Sequence, residues 1–275
     1  MKKQIASINR ITPAGGIAAA IVTVALLAAA RPATAQPIYQ TGFEAPAIVA
    51  GLPLVGQDGW VAPPPFSPAA AVVTTDRPRQ GRQTVHVLGA DLVHQDFIND
   101  ATGGYYDAIG SYRRPVNYDT QGTQTVRVSA HVRIDGPRTT AGNNFFSASL
   151  STRAATADGT ASVGEIALSS DGQVYVYSGN ESVPTFLASA RARLGEWHDL
   201  TVVANFATHT SAFFVDEHYL GTFPFDPAET YTGIFLRGSL LAYAAPDTTA
   251  QTKADYAAHF DRFSIGVVSE EDCEE

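Results

Sequence analysis

Cysteine is nearly absent from this chain of 275 residues, where Cys273 stands alone. A lone thiol builds no internal disulfide framework, so core burial has to hold the fold, with a bound metal as the other available means. Lysine is as scarce, at three residues, and 18 Lys+Arg face 27 Asp+Glu for a net charge of −9. Nucleic-acid binding depends on cations that displace counterions from phosphates, so DNA and RNA are poor partners. Charge of either sign is thin, at 16% against about 25% in an average soluble protein. Helical stripes are missing too. The one alanine-rich stretch, Ala242 to Ala258, is broken by Pro246 and by threonines. Nucleophile-elbow, zinc-protease, phosphate-loop and C-x-x-C motifs are all absent, which removes ATP, nicotinamide and cysteine-bound zinc chemistry.

What is present begins with a leader. Lys2, Lys3 and Arg10 precede an apolar run from Ile17 to Ala30, and Ala33-Thr34-Ala35 supplies small residues at a cleavage site before Gln36. The run is short for a bilayer span of about 20 residues. Residues 1–35 therefore read as a signal peptide, 36–267 as a single domain and 268–275 as an acidic tail. The expected location is secreted, periplasmic or cell-surface, with no membrane segment after cleavage. Cys273 in the tail offers dimerisation through an intermolecular disulfide.

Elsewhere the hydrophobic period is two. From Thr125 to Ile134, Val126, Val128, Ala130, Val132 and Ile134 face one way, opposite Arg127, Ser129, His131 and Arg133. Further strands are expected at 83–88, 144–151, 164–169, 173–177, 198–206, 211–215, 232–237 and 259–267. Ser170-Asp171-Gly172 and Asp216-Glu217-His218 carry turn chemistry between neighbouring strands. Many short strands without helices predict an all-β, two-sheet antiparallel jelly roll.

Gly195-Glu196-Trp197-His198-Asp199, followed by Phe213-Phe214-Val215-Asp216-Glu217 and Leu220-Gly221, resembles the laminin-G-like and concanavalin A-like jelly rolls. Their pattern is a Trp opening a strand, an F-x-V-D-G-like turn and a Leu-Gly after it; Glu217 stands where Gly is commoner. The closing strand around His259-Phe260-Asp261 and the opening Tyr39-Gln40-Thr41-Gly42-Phe43-Glu44 are similar to the ends of such domains. The resemblance implies a structural Ca²⁺ shared by Glu44 and Asp261, since hard cations take carboxylate and carbonyl oxygens. It also implies a fold that serves binding modules, hydrolases, lyases and adhesins alike. The E-x-D-x-x-E carboxylate string of the glycosidases on this fold does not occur.

Two polar faces are candidates for function. Tyr175 and Tyr177 share one face of a strand and form a platform on which sugar rings stack. Arg127, His131 and Arg133 make a basic stripe suited to acidic sugars, where lyase chemistry needs charge neutralisation and a proton acceptor. Trp60 and Trp197 are expected in the core. Together these residues favour an exported carbohydrate-binding or surface-adhesion protein without catalysis, whose partner is a polysaccharide or cell-surface glycan. The alternatives are a lyase for acidic polysaccharide that uses the Arg/His face with a tyrosine, and a structural envelope or matrix protein.

Overall fold

The computed structural model describes residues 35–62, 69–94, 108–116, 125–140, 146–156, 159–177, 185–225, 231–244 and 254–268. Its strands are β1 (Gln36–Thr41), β2 (Ala71–Thr74), β3 (Thr84–Leu88), β4 (Val93–His94), β5 (Ala108–Val116), β6 (Thr125–Asp135), β7 (Phe146–Thr156) and β8 (Gly159–Ser169). They continue as β9 (Gln173–Tyr177), β10 (Thr185–Arg191), β11 (His198–Asn205), β12 (Thr210–Val215), β13 (His218–Pro224), β14 (Tyr231–Ala244) and β15 (Ala257–Val268). All pairings are antiparallel. The larger sheet runs β13-β12-β11-β6-β15-β3-β2 and the smaller runs β10-β9-β8-β7-β14-β5-β4. β1 and β3 share one side of β15, where a register shift between Asp261 and Ser264 separates their two pairing segments.

The period-two pattern explains the layering. Val126, Val128, Ala130, Val132 and Ile134 of β6 and Leu200, Val202 and Ala204 of β11 are buried. They face Leu150, Ile166, Leu168, Val174 and Val176 of the smaller sheet within one core cluster. Near the start of the domain, Trp60 lies edge-on to Phe263 at 5.0 Å and tilted against Phe43 at 5.8 Å. Trp60 thus sits in the core as expected. Trp197 does not: it is half-buried outside the sandwich, edge-on to His259.

Each expected strand is present, 173–177 at its expected bounds and the others with shifted ends. β1, β2, β4, β5, β10 and β13 were not expected, because their alternation is short or broken by Pro37, Pro115 and Gly221. The hairpin between β8 and β9 turns at Asp171 and Gly172, the latter at φ +78°. Between β12 and β13 both turn residues have positive φ, Asp216 at 50° and Glu217 at 66°. Such turns favour glycine at the second central position, and a non-glycine residue in this region costs about 1 kcal/mol. Glu217→Gly is expected to stabilise the fold by roughly that amount, read as a higher urea midpoint with unchanged slope. A lower midpoint would show that the Glu217 side chain contributes more than its backbone strain costs.

Candidate active site

On the outer face of the larger sheet, β6 sits between β11 and β15. His131 lies opposite Asp199 and Ser129 opposite Thr201 on one side. On the other side Ser264 lies opposite Ser129 and Gly266 opposite Arg127. Strand alternation fixes this placement, since Val128 and Val132 take the core and leave Arg127, Ser129 and His131 outside. A cleft of about 330 Å³ opens here, lined by Arg127, Ser129, His131, Asp199, Arg262 and Ser264 among others. The Ser129 and Ser264 hydroxyls meet at 2.8 Å. Arg262 is exposed and stands in the register shift of β15, with φ at 48°.

The electrostatics follow from burial. His131 is only 5% exposed, and burial, reinforced by the charges of Arg79 and Arg262, pushes its pKa down to about 4. The ring is therefore neutral at pH 7. Its Nε2 lies 3.7 Å from Asp199 Oδ2, too far for a hydrogen bond. Its Nδ1 is buried without a hydrogen-bond partner, and so is Nε of Arg127. Asp199 is raised by burial and pulled back by Arg127 and Arg79; its backbone N–H donates to Asp216 Oδ1 at 2.8 Å. A neutral imidazole beside guanidiniums can accept a proton from a molecule whose negative charge those guanidiniums hold.

The structure divides the remaining candidates. Arg133 belongs to a separate network: its Nε donates to Asp135 Oδ1 at 2.8 Å. Asp135 also pairs with Arg77 and, at 3.0 Å, with His259. His259 in turn stacks on His86 with ring centroids 4.6 Å apart. Tyr175 and Tyr177 do share a face, but on β9 of the smaller sheet, opposite Ala167 and Glu165. The Tyr175 hydroxyl donates to Asp171 Oδ2 at 3.1 Å, and its pKa is pushed up to about 12 by burial and then by Asp171. Glu165 beside them is buried and accepts from Ser149 Oγ at 2.7 Å. The Arg/His face and the Tyr175–Tyr177 face therefore lie on opposite outer faces of the sandwich, and a tyrosine serving His131 would have to come from elsewhere than β9.

Glu44 and Asp261 converge on one loop. Glu44 Oε1 accepts from the amides of Arg82 and Gln83 at 2.7 and 2.9 Å. Asp261 is fully buried, and its Oδ2 accepts from the amides of Arg79 and Gln80, both at 3.0 Å. Asp261 Oδ1 has no hydrogen-bond partner of good geometry and is the oxygen a hard cation would take. Among the described residues no group of three or more His, Cys, Asp or Glu is placed to hold a metal. Carbonyls and water would have to complete a shell of about six to eight oxygens. Cys273, the leader through Thr34 and the acidic tail beyond Val268 lie outside the described residues.

Sequence reasoning missed Asp199, Arg262 and Ser264. Asp199 alternates with His198 after Trp197, but only the β6–β11 pairing brings it to His131. Arg262 and Ser264 carried no signal, because the register shift in β15 changes which side chains face out.

No protein-family model and no curated protein matches the chain. Solved structures do. An endo-1,3-beta-glucanase from Streptomyces sioyaensis superposes with TM-score 0.56 at 12% identity, covering 85% of this chain and 96% of that one. Alginate lyase A1-II′, of polysaccharide lyase family 7, gives 0.48 at 13% identity, with 72% and 83% covered. A sialidase gives 0.46 at 12% identity; this chain matches 78% of its own length to 17% of that protein's. The glucanase, which superposes over most of both chains, is an enzyme, and the expectation of a binding or adhesion protein without catalysis is corrected on that finding. At these identities the likeness itself establishes architecture: the chain is a two-sheet jelly roll of the concanavalin A-like fold.

Proposed function

We propose that the protein is a carbohydrate-active enzyme, a lyase that cleaves an acidic, uronate-containing polysaccharide in the cleft of Arg127, His131 and Arg262. One observation carries the reading: Arg127, His131 and Arg262 line one cleft, two guanidiniums with a neutral imidazole. The carboxylate of a uronate would accept from Arg127 and Arg262, which lowers the cost of charge developing on that group. His131 would take the proton from C5. The C4–O4 bond then breaks, a C4=C5 double bond forms, and the imidazolium returns the proton to the leaving oxygen. The Asp199 carboxyl, 3.7 Å from the ring, would favour the transient imidazolium when ionised.

The test is incubation of the exported protein with uronate polysaccharides and neutral glucans, following ultraviolet absorbance and reducing ends together. A rise in both on a uronate polymer supports the lyase. Reducing ends without absorbance would mean hydrolysis, and silence in both would overturn the assignment.

We propose the extracytoplasmic location on the leader pattern, and a structural calcium at Asp261 and Glu44 on the unpartnered Asp261 Oδ1. A cation held only by the folded state adds about 3 kcal/mol at a hundredfold excess over its Kd. Calcium is therefore expected to raise Tm, chelation to reverse the rise, and Asp261→Asn to remove the response. An unchanged Tm in millimolar calcium would dispose of the site.

A further inference from the structure

The cleft has a wall that the strands described so far do not supply. Ala35, Pro37 and Gln40 line it together with Arg127 and His131. β1 reaches it by pairing with the end of β15, Gln36 opposite Val267 and Pro37 opposite Gly266. Gly266 itself lies opposite Arg127. A Cβ at Gly266 would come within 2.8 Å of the Gln36 carbonyl oxygen and 2.9 Å of the Ala35 Cβ. Only glycine admits this close approach, so the Ala35–Gln36 peptide is held against β15 at Gly266, the residue opposite Arg127 of the neighbouring β6.

That peptide is also the bond that follows Ala33-Thr34-Ala35. We infer that hydrolysis of the Ala35–Gln36 bond places the new α-amino group of Gln36 on the cleft wall, as a third cation beside Arg127 and Arg262, and that cyclisation of Gln36 switches it off. In the first step water adds across the C–N bond, giving a carboxylate on Ala35 and an amine on Gln36. In the second, the amine attacks the side-chain amide carbon, ammonia leaves, and the resulting lactam is neutral. Gln36 is exposed, so its side chain is accessible for this reaction. An α-amine titrates near 7.7–8.0; it is charged at pH 6 and lost as pH rises through that range. The inference rests on the reading of the cleft as a uronate site. Its structural half, amine next to cleft, stands without it.

The chain makes the experiment clean, because after cleavage Lys253 is the sole lysine. Full-length protein is exported, its N-terminus is identified by mass, and half of the sample is cyclised with glutaminyl cyclase until one ammonia is lost. Two readouts are compared at pH 6: the imidazole resonances of His131, and the Kd for an oligogalacturonate probe. Cyclisation is expected to shift the His131 signals and to weaken binding about threefold, the scale of an exposed charge pair, with the difference gone at pH 9.5. Gln36→Ser keeps the amine but cannot cyclise, and is expected to show no response to the cyclase. If cyclisation leaves both His131 and Kd unchanged, or if the exported N-terminus is not Gln36, the inference is overturned. A His131 shift with no oligogalacturonate binding in either form supports the amine placement and counts against the uronate reading.

Discussion

His131→Ala is expected to lower turnover of a uronate polysaccharide by roughly 10²–10⁴-fold, the range for loss of a positioned proton acceptor. Binding should change little, because Arg127 and Arg262 remain. The physical basis is the depressed pKa, about 4, which keeps the imidazole unprotonated and available through the neutral range. The kcat profile should therefore fall only below about pH 5 on its acidic limb. Arg127→Ala is expected to act differently, raising KM as well as lowering kcat, since a guanidinium on the carboxylate contributes to binding and to the transition state. Turnover within about threefold of wild type in His131→Ala would remove the cleft from the reaction. If Tyr177→Phe abolished activity instead, catalysis would belong to the outer face of the smaller sheet, where Tyr175, Tyr177 and Glu165 stand.

The second large effect is on stability. His131 and His259 both fold as neutral rings with pKa values near 4 against 6.5 for the free side chain. Between pH 6.5 and 4 the unfolded chain binds protons that the folded chain refuses. Stability must then fall as pH falls through that window, by about 3 kcal/mol for each fully shifted histidine. His259 is depressed chiefly by burial and then by its stacked neighbour His86, with Arg133 and Arg77 adding and Asp135 opposing. His86 is lowered as well, by burial first. Urea midpoints at pH 7 and pH 4.5 should differ sharply, and His131→Gln with His259→Gln should flatten the slope. The double variant matters because Asp199 and Asp261, whose carboxyls are raised by burial, shift stability the other way. A wild-type midpoint equal at both pH values would show that these rings protonate in place.

The sequence made the fold readable where one face of a strand is buried. Val126 to Ile134 alternate without interruption, and their strand lies near the middle of the larger sheet. Edges were harder. β13, with Gly221 and exposed positions along its length, packs little and leaves little pattern. The site was half readable. Arg127 and His131 were visible because alternation places them on one face; so was Arg133, yet it answers to Asp135. Which acid pairs with which cation depends on register between β6, β11 and β15, and register is a property of pairs of strands. The same reason kept Tyr175 and Tyr177 apart from His131: alternation assigns a side of a strand, and says nothing of which sheet the strand joins.

β15 binds β6 on one side and β1 and β3 on the other, so the larger sheet cannot close until residues 257–268 are available. A nascent chain still short of β15 has the β2–β3 pair and the β6, β11, β12 and β13 strands with no strand between them, and β1 without its partner. Completion of the larger sheet is thus a late event, set by the last strand of the fold.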